Sequence, residues 1–198
     1  MDRGVVLRHV ASGAVVAMLI VLAIGSTDSG GGSSATGERQ STAAPATPPR
    51  PGEQWMYEQS EDPMGKGTSY SAMVQSTNTV TFDFPYSEAQ HATLTLRTHP
   101  RYGKDLILRI ERGQFLCNSY DGCNVLVRFD DGEPQTFSAA GPSDNSTEVL
   151  FIRNYPRFVE AMLKAERIRI SAEVYQEGSP VFEFDVRGFA TSRYRPKS

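Results

Sequence analysis

The feature that most constrains this chain is a period of two. Val80, Phe82 and Phe84 alternate with Thr79, Thr81 and Asp83, Leu94 and Leu96 with Thr93, Thr95 and Arg97, and Leu106, Leu108 and Ile110 with Asp105, Arg109 and Glu111. Val125, Val127 and Phe129 oppose Arg128 and Asp130, Ile168 and Ile170 oppose Arg167 and Arg169, and Phe182, Phe184 and Val186 oppose Glu183, Asp185 and Arg187. Successive side chains of an extended chain point to opposite faces, so each run has one apolar and one wet face, as antiparallel sheets require. Turn-forming sequences separate the runs, among them Pro63-Met64-Gly65, His99 to Gly103, Asp121-Gly122, Asp131-Gly132, Gly141-Pro142 and Glu177 to Pro180. The pattern predicts a mainly β fold, an antiparallel β-sandwich or a partly closed barrel.

One stretch, NYPRFVEAMLKAER, breaks the period. Phe158, Val159, Met162 and Leu163 fall on one helical face, Pro156 suits a first turn, Asn154 is placed to cap it, and Glu160 and Lys164 form an i,i+4 pair. This predicts a short amphipathic helix near the C-terminal strands, plugging one end of the sandwich.

Ahead of Trp55 the composition changes twice. Arg3 and Arg8 precede an apolar run from Val10 to Gly25. It reads as a signal peptide, with small residues at Ala23 and Gly25, or as an uncleaved membrane anchor. Either reading places the C-terminal domain outside the cytoplasm. Residues 26–51 are Gly/Ser/Thr/Ala-rich passing into Pro-rich sequence, the composition of a disordered linker, because it buries too little apolar surface to offset its ordering entropy. The domain organisation expected is therefore 1–25 signal or anchor, 26–51 linker, 52–190 sandwich and 191–198 a basic, frayed tail.

With a formal net charge of −3, the chain lacks the basic footprint a nucleic-acid binder needs. His91 and His99 flank the LTLR strand with Ser87 nearby, but no Gly-x-Ser-x-Gly elbow accompanies them, so they read as surface or strand-end histidines. Asp130-Asp131-Gly132-Glu133 lacks calcium-loop spacing and reads as a hairpin turn. Arg97, Arg109 and Arg128, with Arg169 and Arg187, occupy polar-face positions. They suit cross-strand ion pairs with residues such as Asp83, Glu111, Asp130, Glu173 and Glu183, or an arginine-lined contact patch. No catalytic set, metal site or cofactor is expected.

The two cysteines stand in C-N-S-Y-D-G-C, residues 117–123. Zinc would need two further ligands, and a thioredoxin-type redox pair has two intervening residues where this chain has five. In an exported chain a Cys117–Cys123 disulfide is the natural outcome, clasping a hairpin between QFL-C and C-NVLV and presenting Tyr120 as a partner anchor.

The order of features resembles that of bacterial type VI secretion-associated accessory proteins of the TagO/VasI kind. The matching pieces are Trp55, Asp62-Pro63, the strand Leu94 to Arg97, VLVRFDDG from Val125 to Gly132, the helix with AMLKA from Ala161, and FDVRGF from Phe184 to Phe189. That family often has a cysteine directly after its L-x-L-R strand, where this chain has Thr98. The resemblance implies a non-enzymatic, exported β-sandwich that docks onto other envelope components. The function expected is thus a periplasmic or membrane-tethered binding module with an envelope protein as partner. The inner membrane is a second contact if the N-terminal segment is retained. Alternatives are an inhibitor or immunity-type protein that inserts the Cys117–Cys123 loop into a periplasmic enzyme, and a hydrolase.

Overall fold

The alternating runs become neighbouring strands of one antiparallel sheet. The computed structural model describes residues 50–118 and 120–194. The segment expected to be a signal or anchor, the expected linker up to residue 49 and the last four residues of the chain lie outside the described residues. Among the described residues no helix is long and apolar enough to cross a membrane.

The strands are β1 (Met56–Glu61), β2 (Thr68–Gln75), β3 (Val80–Thr81), β4 (Ala89–Gln90), β5 (Ala92–His99), β6 (Gly103–Ile110), β7 (Cys123–Phe129), β8 (Gln135–Ala140), β9 (Val149–Ile152), β10 (Arg167–Ser171) and β11 (Val181–Asp185). Helix α1 (Tyr155–Met162) lies between β9 and β10, and α2 (Thr191–Tyr194) ends the described chain. Nine strands form one sheet in the order β1-β2-β5-β6-β9-β8-β7-β10-β11, and β3 and β4 form a separate pair.

Register makes this sheet a core. Val74 lies opposite Leu94, Leu94 opposite Leu108, and Leu108 opposite Leu150, and all four are fully buried. On the other half Val127 pairs with Ile170, and Ile170 with Phe182, again with no exposed surface. Matching inward residue to inward residue across five or more strands fixes register, because a one-residue slip would turn every one of them to water.

The sheet folds over on itself as a sandwich, and no strand ladder closes it into a barrel. Where its two halves meet, the chain leaving β2 replaces a ladder with one backbone bond and the Asn78 side chain. Thr77 donates its N–H to Glu183 O at 2.7 Å, while the Asn78 amide donates to Val181 O and accepts from Glu183 N, both at 2.8 Å. The outer edge of β11 is thereby paired rather than left open to another chain.

Helix α1 is seated by aromatic edges. Phe158 packs on Phe129 at 5.4 Å and on Phe137 at 5.7 Å between ring centroids, both edge-on. Glu160 and Lys164 pair at 2.9 Å as their spacing predicts. Two details differ from the sequence reading. Asn154 stands at the cap position, but its side chain makes no cap bond; it has φ of 61°, a left-handed conformation that asparagine tolerates. Leu163 is 55% exposed because the helix has already ended at Met162.

The basic tail does not start at residue 191. Tyr194 is buried, and its hydroxyl lies 2.9 Å from both Thr98 Oγ1 and Tyr155 Oη. Thr98 thus serves a buried hydroxyl chain. Trp55 and Phe189 stack edge-on at 5.0 Å, and the Trp55 ring N–H donates to Val186 O, so the first and last described segments pack together.

Candidate binding surface at the disulfide end

Cys117 and Cys123 are joined, with their Cα atoms 5.1 Å apart. The loop they close has its own narrow antiparallel bridge, Asn118 to Gly122, but its two arms do not continue as paired strands. Cys123 opens β7, whose neighbours are β8 and β10, whereas the Gln114–Cys117 arm runs elsewhere. Phe115 N donates to Thr147 O at 2.8 Å, Leu116 N to Glu173 O at 2.9 Å, and Tyr175 N to Gln114 O at 2.8 Å. The expected pairing of QFL-C with C-NVLV does not form, because Thr147 and residues 173–175, beyond the end of β10, supply the backbone partners of this arm. The disulfide therefore links two separate parts of the sheet end.

Local bonds shape the loop itself. Asn118 Oδ1 accepts from the N–H groups of Tyr120 at 2.8 Å and Asp121 at 2.6 Å, an Asx turn. Asn118 O accepts from Gly141 N. A side chain at Gly141 would come within 2.5 Å of Cys117 O, so only glycine lets this loop lie against the end of β8. Tyr120 stands 94% exposed at its tip.

The 83–88 segment is tied to residue 177 and to the arm that precedes Cys117. Asp83 N donates to Glu177 at 2.7 Å, Arg112 pairs with Glu88 at 2.6 Å, and Gln114 Nε2 reaches Tyr86 Oη at 3.5 Å. Between β3 and β4 the alternation breaks down. Phe82 is buried, but β3 ends at Thr81, the Phe84–Pro85 bond is cis, and Phe84 is 89% exposed. The expectation of a continued strand with Phe84 facing inward is corrected: the chain turns away before Phe84 can reach the core. Leu116 and Tyr175, at 45% and 52% exposure, complete an apolar set with Phe84 and Tyr120. Segments 83–88, 111–123, 141–148 and 173–178 carry eight carboxylates and a single cation, Arg112. The surface is aromatic and acidic.

The three arginines expected at a contact patch are not brought together. Arg97 pairs with Asp105, its direct cross-strand neighbour, at 2.6 Å. Arg128 lies at the far end of β7 from Cys123 and donates to Gly132 O and Asp131 O, holding the β7–β8 turn. Arg109 is exposed on β6, where it contributes the smallest of the effects lowering the Asp144 carboxyl; the Ser146 backbone N–H contributes the largest. Cross-strand pairing is realised at Arg169, which meets Glu183 at 2.9 Å, while Arg187 pairs with Asp185 on its own chain segment. Glu183, Asp185 and Arg187, with Asp130, Asp131 and Arg167, line a groove of about 650 Å³.

His91 Nδ1 lies 2.8 Å from Ser76 O, and the Ser76 hydroxyl donates to Asn78 O at 2.7 Å, so both serve the chain leaving β2. Among the described residues no group of three or more His, Cys, Asp or Glu side chains converges to hold a metal ion.

Compared with known proteins, the chain stands apart in sequence. No family model and no curated protein matches it. Among solved structures it is similar to invasion associated protein B from Bartonella henselae, with a TM-score of 0.39 and 11% identity, over 67% of this chain and 85% of that one. A score at that level does not establish a shared architecture.

Proposed function

We propose that this protein is an exported, non-enzymatic binding module of a bacterial envelope, and that it contacts a protein partner through the loops at its disulfide end. The observation that carries this reading is the exposure of Phe84, Leu116, Tyr120 and Tyr175, from three separated segments that hydrogen bonds tie together, among many carboxylates. Exposed aromatics held by backbone bonds lose little freedom on binding, which makes them effective anchors. The surrounding carboxylates select a partner with a basic surface and steer its approach. The disulfide agrees with an oxidising compartment. The resemblance to secretion-associated accessory proteins supports an envelope partner.

A second reading comes from Tyr120 alone. A 94%-exposed tyrosine on a disulfide-closed loop also suits insertion into an enzyme cleft, as an inhibitor or immunity-type protein would do. Affinity recovery from envelope extracts separates the two. Against wild type, Phe84→Ala should weaken recovery as strongly as Tyr120→Ala for a broad docking surface. Loss with Tyr120→Ala alone supports the inserting loop, and unchanged recovery with both contradicts the surface altogether.

A further inference from the structure

We propose that the opposite end of the sheet, formed by the β1–β2 turn, the β5–β6 turn and the adjoining ends of β6 and β9, docks on an anionic lipid bilayer. The argument begins with two turns that are locked together. Arg101 in the second turn grips the buried Asp62 of the first, with Nε 2.8 Å from Oδ2 and Nη2 3.0 Å from Oδ1. Each clasped turn carries one apolar side chain into solvent: Met64 is 70% exposed and Tyr102 66%. Tyr102 is held from below by His99, with ring centroids 4.6 Å apart.

Near these tips stand three cations that form no salt bridge among the described residues. Lys66 is exposed beside Met64. The register that places Leu106 opposite Ile152 brings the adjoining strand ends together, so Lys104 and Arg153 line one groove of about 320 Å³ with Tyr155, the Arg97-paired Asp105 and residues 141–143. Among the described residues Lys66, Lys104 and Arg153 form no salt bridge, whereas Arg97 and Arg101 are neutralised by Asp105 and Asp62. Three cations that form no salt bridge among the described residues, beside a projecting tyrosine and methionine and with Glu61 as the exposed carboxylate of the first turn, match the headgroup region of a bilayer. There the ring and thioether enter the acyl boundary and the cations meet lipid phosphates.

The charge distribution also sets orientation. β5 and β6, eight residues each, run between the two ends. The acidic loop surface lies at the other end and would be repelled by the same bilayer. Docking at Met64 and Tyr102 therefore points Phe84 and Tyr120 away from the membrane. This inference does not depend on the identity of any protein partner.

The test reconstitutes the full chain into vesicles of phosphatidylcholine alone, or of phosphatidylcholine mixed with phosphatidylglycerol, and reads backbone hydrogen exchange by mass spectrometry. Exchange in segments 62–67 and 100–104 should slow several-fold on the anionic vesicles only, with the 83–88 loop unchanged. Raising salt to about 1 M, where charges are screened within about 3 Å, should remove the effect. Lys66→Glu with Lys104→Glu should abolish it, each reversed cation weakening the contact by at least about five-fold. Should that variant melt below wild type, Lys66→Gln with Lys104→Gln replaces it and should reduce the protection. Equal exchange on both vesicle types, or protection that survives the charge changes in a folded variant, overturns the proposal. So does the same protection from soluble heparin without vesicles, which would mark a general polyanion site.

Discussion

At the scale of single residues, Asn78 takes the place of a missing strand. Its amide meets two backbone groups of β11 at 2.8 Å, one as donor and one as acceptor. Asn78→Ala leaves both without their side-chain partner and should destabilise the fold by about 1–3 kcal/mol, read from urea unfolding. A change within about 0.3 kcal/mol would mean that water replaces the amide. Asp185 offers a pH test. The Arg187 side chain is the main cause that holds its carboxyl below the ordinary 3.8, against the opposing effect of partial burial. A depressed folded value contributes stability that is full above the unfolded carboxylate range and is lost as pH falls through the folded value. Asp185→Asn should therefore flatten the acid limb of unfolding midpoint against pH, with wild type and variant converging at the lowest pH. Parallel curves would exclude the clasp as a source of acid sensitivity.

At the scale of elements, the disulfide closes a short loop, six residues apart in sequence, so its entropic contribution is modest. Replacing both cysteines by serine should cost about 2 kcal/mol by chain entropy, measured by thermal or urea unfolding. A much smaller loss would indicate that the Asn118 turn and the Gly141 contact already hold the loop. Strands β5, β6, β7, β10 and β11 were legible in the sequence because each has one wet face, and alternation reports that directly. β9 was not, since Val149-Leu150-Phe151-Ile152 is apolar throughout, and β1 was not, since its exposed edge position removes the contrast between faces. Phe84 shows the converse error: alternation survives in the sequence after the strand has ended. Tyr120 was legible because the flanking cysteines mark its loop. Its companions were not, because what joins Phe84, Leu116 and Tyr175 to it is hydrogen bonding between segments far apart in the chain.

At the scale of the whole molecule, the sandwich separates charge along its strands. One end gathers carboxylates around exposed aromatics, while at the other Lys66, Lys104 and Arg153, near Met64 and Tyr102, form no salt bridge among the described residues. In the proposed function such a polarity would give the domain a direction, with one end towards the membrane and one towards the partner. The central claim is that the partner meets the disulfide end. Photo-crosslinking in intact cells tests it most directly, with a photoreactive amino acid placed singly at positions 84, 120 and 56. Positions 84 and 120 should each yield the same covalent protein adduct, while position 56, on the exposed edge strand β1, should yield none. An adduct from position 56 with none from 84 or 120 would contradict the account.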